Sequence, residues 1–215
     1  MVGWGLRAFR GRSAYLLLTL FKSLVLVQPH LDYCSQLWSP TLQSDINKLE
    51  QVQKSLVNKI KDGRLVNLNY WDKLKALHLY SQERRRERYM IIFIWKITQG
   101  LVSGYSLPFS PISDRIGRKA IPHSVVQAAP APVKNARDGS LSFRGVKLFN
   151  AMPINLLNSE HGDIPMFKNH LDIFLANIPD EPSVSGLVRA ARTNSLLDQI
   201  PIFLFLGTLL LMINL

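Results

Sequence analysis

A mainly α-helical fold is predicted by three observations. Apolar residues recur at three- and four-residue spacing over Leu42–Ile60, where Leu42, Ile46, Leu49, Leu56 and Ile60 fall on one stripe. Helix-starting and helix-stopping residues bracket the same stretches: Ser39–Pro40 and Asp62–Gly63 around this one, Ser81 and Gly100 around another. No strong period-2 alternation, the mark of a half-buried strand, occurs anywhere. The expected organisation is an irregular helical domain over residues 1–100, a Pro/Gly-rich connector over 101–139, a smaller helical C-terminal subdomain over 140–199 and an apolar tail over 200–215.

The elements follow in order. Ser13 can cap a helix over Ala14–Val27, apolar nearly all round and ended by Pro29. A basic stretch before it (Arg7, Arg10, Arg12) gives some likeness to a signal peptide, but Lys22 interrupts the apolar run and no small-residue cleavage site follows, so a buried core helix is expected. Ser39–Pro40 opens a helix to about Lys61, with Lys48, Gln51, Lys54, Asn58 and Lys61 on its outer, mildly basic face. Asn69–Leu79 suggests a short helix. Ser81 then caps a longer one to Gln99, charged in its first half and almost wholly apolar over Tyr89–Ile97, which therefore belongs deep in the core. Pro108, Pro111, Pro122, Pro130 and Pro132 mark the connector. Helical patterning returns over Leu141–Asn150 and Met166–Asn177, with Pro153, Pro179 and Pro182 as stops. Residues 199–215 carry no charged side chain, but their continuous apolar part is only about twelve residues, against the ~20 that span a bilayer.

The chain has 215 residues, 47% of them hydrophobic, enough for one sizeable core. Lys and Arg number 26 against 15 Asp and Glu, a net charge of +11, which points to a polyanionic partner such as nucleic acid. The single cysteine, Cys34, rules out an intrachain disulfide and a cysteine-based zinc site. Its neighbourhood favours a small buried hydrophobe over a nucleophile.

Several chemistries have no residues to carry them. There is no Asp-Asp pair for two-metal catalysis, no phosphate-cradling Gly-x-x-x-x-Gly-Lys and no Gly-x-Ser-x-Gly elbow. His30, His78, His123, His161 and His170 lack the His-Glu-x-x-His spacing. His161 and His170 lie near Asp163 and Asp172, where solvated or packed histidines are the default. Asp32 reads as a cap or hydrogen-bond partner, and no catalytic residue, metal site or cofactor is expected.

A set of landmarks runs through the chain in order: Pro29–His30–Leu31–Asp32–Tyr33–Cys34, Trp38–Ser39–Pro40, Leu49–Glu50–Gln51–Val52–Gln53, Leu77–His78–Leu79, Glu83–Arg84–Arg85–Arg86 and Trp95–Lys96–Ile97. Ser142–Phe143–Arg144–Gly145, Phe149–Asn150–Ala151–Met152–Pro153, Phe167–Lys168, Leu171–Asp172 and Asn194–Ser195–Leu196–Leu197–Asp198 continue it. With these landmarks most of residues 2–199 resembles the region downstream of the polymerase core in reverse transcriptases of non-LTR retrotransposons, jockey-like elements in particular. The resemblance implies a thumb-like and post-thumb segment over 1–100 and beyond. The RNA-directed DNA polymerase itself would be encoded upstream, so this stretch would be no enzyme alone. It would contact template or primer duplex, support the upstream polymerase domain of the parent polyprotein, and reside in the nucleus or cytoplasm. Two other expectations stand beside it: a helical protein of the membrane surface using Ala14–Val27 and Ile202–Ile213, and a degenerate element copy without selected function.

The sharpest candidate for binding is the arginine block. Arg84, Arg85, Arg86 and Arg88 span more than one helical turn, close to a helix N-terminus where the macrodipole favours acids. Guanidinium groups grip phosphates bidentately. With Lys48 and Lys54 they form the expected nucleic-acid-binding set, for weak, sequence-independent contact with RNA or DNA; no small-molecule substrate is expected. The competing explanation is a salt-bridged helix in which Glu83 and Glu87 pair with the arginines. Two sets that mix aromatic and basic residues, Trp4/Arg7/Phe9/Arg10 and Phe143/Arg144/Lys147/Phe149, can stack bases; core aromatics beside surface charges are the preferred account of them.

Overall fold

The computed structural model describes residues 22–60, 63, 65, 67–104, 139–157, 163–182 and 194–200. These are mainly helical, with no strand among the described residues. A π-helical turn, Lys22–Val27, leads into α1 (Gln28–Asp32), followed by α2 (Ser35–Trp38), α3 (Gln43–Asn58), α4 (Tyr70–Leu77) and α5 (Gln82–Thr98). A second π-helical turn, Leu141–Gly145, leads into α6 (Val146–Ala151), then α7 (Ile154–Leu157) and α8 (Ile164–Ala176).

Local chemistry sets several boundaries. The Asn69 side chain accepts from the Asp72 amide to start α4, and His78 ends that helix in the left-handed conformation at φ +53°. Ser81 accepts from the Arg84 amide to start α5. Gly100, at φ +69°, turns the chain away after it. Asp163 caps α8 through the Met166 amide at 3.1 Å.

Other expectations are corrected. Pro29 does not end a helix; it lies in the first turn of α1, where its missing N–H leaves no bond unmade. Residues 14–21 of the expected first helix lie outside the described residues. α3 begins at Gln43, not at Ser39–Pro40: Ser39 and Leu42 are extended, and no side chain caps the helix. Packing accounts for this, because a Cβ on Gly139 would stand 2.6 Å from Thr41 Cγ2 and 3.4 Å from the Ser39 carbonyl, so the 39–41 strap is pressed against Gly139. The buried line of α3 is Ile46, Gln53, Val57 and then Ile60, while Leu42 is 56% exposed. Cys34 is exposed rather than buried, held at φ +49° at the joint between α1 and α2.

α5 is the axis of the fold. Met90, Ile91, Ile94 and Trp95 are fully buried and share one core with Leu141, Val146, Leu148, Phe149 and Met152, with Phe167, Leu171 and Leu175 of α8, and with Leu196 and Ile200. The described helices after residue 139 thus pack over α5 and share its core. Trp95 stacks on Phe167 at 4.4 Å between centroids and 6° between planes. Gly145 lets the second π turn approach α5: a Cβ there would be 3.0 Å from Leu141 Cδ1 and 3.2 Å from Ile94 Cγ1. A smaller core of Val57, Ile60, Leu65, Tyr70, Leu74 and Leu77 joins α3 to α4. Among the described residues no helix is long and apolar enough to cross a membrane. The connector from 105 to 138 and the tail from 201 to 215 lie outside the described residues.

Candidate functional site

The charged first half of α5 is a buried polar hub. Ser81, Gln82, Glu83, Arg84, Arg86 and Glu87 are all buried. A helix start leaves backbone N–H groups without partners, and here remote carboxylates supply them. Asp180 accepts from the Ser81 amide and hydroxyl, each at 2.7 Å. Glu50 accepts from the Gln82 amide at 2.8 Å and from the Tyr70 hydroxyl. The negative charge that the macrodipole favours is thus contributed by α3 and by the segment after α8, which answers the cost of four arginines near this end.

Each arginine leaves the axis toward a different part of the chain. Arg84 is fully buried. Its Nη2 donates to the Pro179 carbonyl at 2.8 Å and to Gln199 Oε1, and its Nε lies 3.8 Å from Asp180. Arg85 Nη1 lies 3.8 Å from Asp32 Oδ2. Arg86 donates to the Leu31 carbonyl at 2.9 Å and covers the Trp38 ring at 4.0 Å. Burial pushes Arg86 down to about 10, against the opposing pull of Asp32 and Glu50. Arg88 grips Asp172 with both Nε and Nη2, at 2.5 and 2.7 Å. Burial would lower Arg88, but the Asp172 contact outweighs it and the guanidinium is held above its ordinary value.

The acids of α5 do not pair with the arginines of α5. Arg144, from the second π turn, reaches Glu87 at 2.9 Å and Glu83 at 3.4 Å. Glu83 also accepts from the Asn194 amide, and Glu87 from the Ser195 hydroxyl and the Leu196 amide. Burial, then the neighbouring Glu87 carboxylate, push Glu83 up to about 7 despite Arg144. Burial likewise raises Glu50.

The expected binding set therefore divides. Arg84, Arg86 and Arg88 spend their guanidinium groups on protein acceptors inside the fold, and Arg85 is half-buried beside Asp32; they are not an exposed phosphate grip. The physical reason is that each one is met by an acceptor arriving from far along the chain. Lys48 and Lys54 stand outside. Lys48, its side chain 78% exposed, lies 2.9 Å from Asp45. Lys54 is exposed on α3 with its Nζ 5.8 Å from the Tyr70 ring centroid. Asp32 is a hydrogen-bond partner, accepting from Gln28 at 2.6 Å and Tyr89 at 3.0 Å, rather than a cap. Within the second aromatic-basic set, Phe149 is buried, Arg144 joins the hub and Lys147 sits 4.0 Å from the Phe143 ring; the first set, at Trp4–Arg10, lies outside the described residues.

The partners Arg144, Asp172, Asp180 and Asn194 were not singled out as site residues by sequence reasoning. Three of them do stand in the landmark clusters Ser142–Gly145, Leu171–Asp172 and Asn194–Asp198, and that coincidence was the available signal. No family model, curated protein or solved structure matches this chain.

Proposed function

We propose that this chain is the helical segment that follows the catalytic core in a non-LTR retrotransposon reverse transcriptase of the jockey-like kind, acting as a noncatalytic support that contacts nucleic acid. One observation carries the reading. Six residues from the landmarks of the resemblance, Glu50, Gln53, Arg84, Arg144, Asp172 and Asn194, meet at the polar half of α5. Residues that jointly build one interior are what a transferable structural unit requires, and this supports treating the landmarks as one pattern rather than as separate coincidences.

The nucleic-acid part rests on the net charge of +11 and on cations left at the surface, Lys48 and Lys54 among them. Phosphate contacts of that kind give sequence-independent, salt-sensitive binding. The test is fluorescence anisotropy of the full chain with a labelled single-stranded oligonucleotide between 50 and 200 mM salt, as order-of-magnitude conditions. Binding that weakens with log salt by ~0.7 per phosphate contacted is expected. No binding at the lowest salt overturns the nucleic-acid assignment. A primed RNA template with magnesium and nucleotides should not be extended; extension by a clean preparation overturns the noncatalytic one.

A further inference from the structure

Beside the hub, a half-open cleft of about 210 Å³ lies between α2, α5 and α8. Gln36 lines it from α2, Arg88, Tyr89, Phe93 and Lys96 from α5, and Lys168 from α8. We infer that this cleft takes one unpaired nucleotide of a single-stranded nucleic acid, its base against the Tyr89 and Phe93 rings and its phosphate between Lys96 and Lys168. The inference deepens the nucleic-acid reading and rests on it.

Charge is the first argument. The Arg88 guanidinium is neutralised by its two bonds to Asp172. Lys96 and Lys168 make no ion pair among the described residues and place two lysine charges beside a nearly neutral pair. Burial, then repulsion from Lys96 and Arg88, lower the Lys168 ammonium, which marks a place where an anion would be welcome. The lysines lie on different helices, α5 and α8, and face one cavity, unlike Lys48, which already has Asp45.

Shape is the second. A cavity of about 150 Å³ admits a benzene ring, so the room here suits one base, and the open side leaves its phosphate and a path for a strand at the mouth. A stacked duplex cannot present an isolated base to it. Tyr89 is held in place by the bond from its hydroxyl to Asp32 at 3.0 Å, and a fixed ring costs little ordering on binding. Gln36 adds an amide with both donor and acceptor capacity. Two aromatic rings beside two cations are the combination that binds single strands with little regard to sequence.

The test uses the full chain and a fluorescein-labelled oligothymidylate, read by anisotropy across a salt series. Lys96→Gln with Lys168→Gln should leave the circular dichroism spectrum unchanged, since both side chains are only half-buried. It should also lower the salt slope by ~0.7, which is one single-strand phosphate. Phe93→Leu keeps apolar bulk against the core, and should weaken binding about fivefold, the low end for one stacked base, without altering the slope. On an oligomer of abasic sites Phe93→Leu should have no effect. A wild-type chain that binds the strand while these variants bind identically overturns the cleft and leaves the nucleic-acid reading intact. Wild-type binding to duplex as tight as to single strand also overturns it. A wild-type chain that binds no nucleic acid overturns both.

Discussion

Arg88 and Asp172 meet as a bidentate pair across 84 residues of sequence, Nε to Oδ1 at 2.5 Å and Nη2 to Oδ2 at 2.7 Å. Both side chains are 12% exposed, and the Tyr80 hydroxyl donates to the same carboxylate at 3.2 Å. The pair ties α5 to α8 at the edge of the main core. It also explains why a row of arginines is compatible with a helix that packs on nearly every side.

Removing one partner of a nearly buried ion pair leaves the other charge without compensation, which costs about 3–5 kcal/mol. Asp172→Ala is therefore expected to destabilise the fold by roughly that amount in urea denaturation. Asp172→Leu combined with Arg88→Met should recover much of the loss, because no charge then remains buried. A double variant as unstable as the sum of the two single ones would show that the two residues act independently.

Within the arginine block, burial separates structural from surface roles. Arg84→Gln removes the cation beside Asp180 and the donor to the Pro179 carbonyl inside the fold and should cost about 3–5 kcal/mol. Lys54→Gln on the exposed side of α3 should change stability by no more than ~0.5 kcal/mol. Thermal melts of the two variants decide the matter. An Arg84→Gln protein with an unchanged midpoint would mean that the Arg84 contacts hold nothing together.

The helices were legible where a short stretch contains its own signal. Asn69 and Ser81 are capping residues next to apolar runs, and Tyr89–Ile97 is too apolar to lie outside. The helical turn through Pro29 was not legible, because a proline after an apolar run reads as a stop, whereas here it occupies the first turn of α1. The same holds for Ser39–Pro40, a proper starting signal that is overruled by the close approach of Gly139. The fate of the arginines was the least legible of all. Whether a guanidinium meets water or a carbonyl depends on Leu31, Asp172, Pro179 and Gln199, and no local window around residue 86 contains them. The two explanations weighed for the block were solvent-facing phosphate contacts and pairing within the helix, whereas the structure uses partners from four distant segments.

Gly145 supplies a test of the core that needs no charge. Its backbone is helical, at φ −61°, so a side chain is excluded by space and not by conformation. A Cβ would already press on Leu141 and on Ile94, which is fully buried and has nowhere to go. Gly145→Val adds two further methyl groups in that gap. The expected cost is ~1–3 kcal/mol, typical of overpacking, measured as a lowered urea midpoint. Stabilisation by the change would mean that the second π turn does not press against α5.

The raised Glu83 carboxyl makes stability depend on pH in a direction opposite to that of an ordinary salt-bridged acid. Its ordinary value is 4.5 and the folded chain holds it near 7. Below pH 4.5 both folded and unfolded chains carry the proton, and its contribution to stability is complete. Between about 4.5 and 7 the folded chain keeps a proton that the unfolded chain has released, so stability falls as pH rises. Above 7 both states are ionised and the dependence ends. A shift of this size corresponds to about 3 kcal/mol across the window. Glu83→Gln keeps a carbonyl oxygen for the Asn194 amide and cannot ionise, so the fall attributable to this position should vanish. Urea denaturation of both proteins at pH 5, 6, 7 and 8, as round test values spanning that window, should show the variant gaining on the parent as pH rises. Parallel curves across the whole range would mean that Glu83 is already ionised in the folded chain at pH 5, with Arg144 outweighing burial and Glu87.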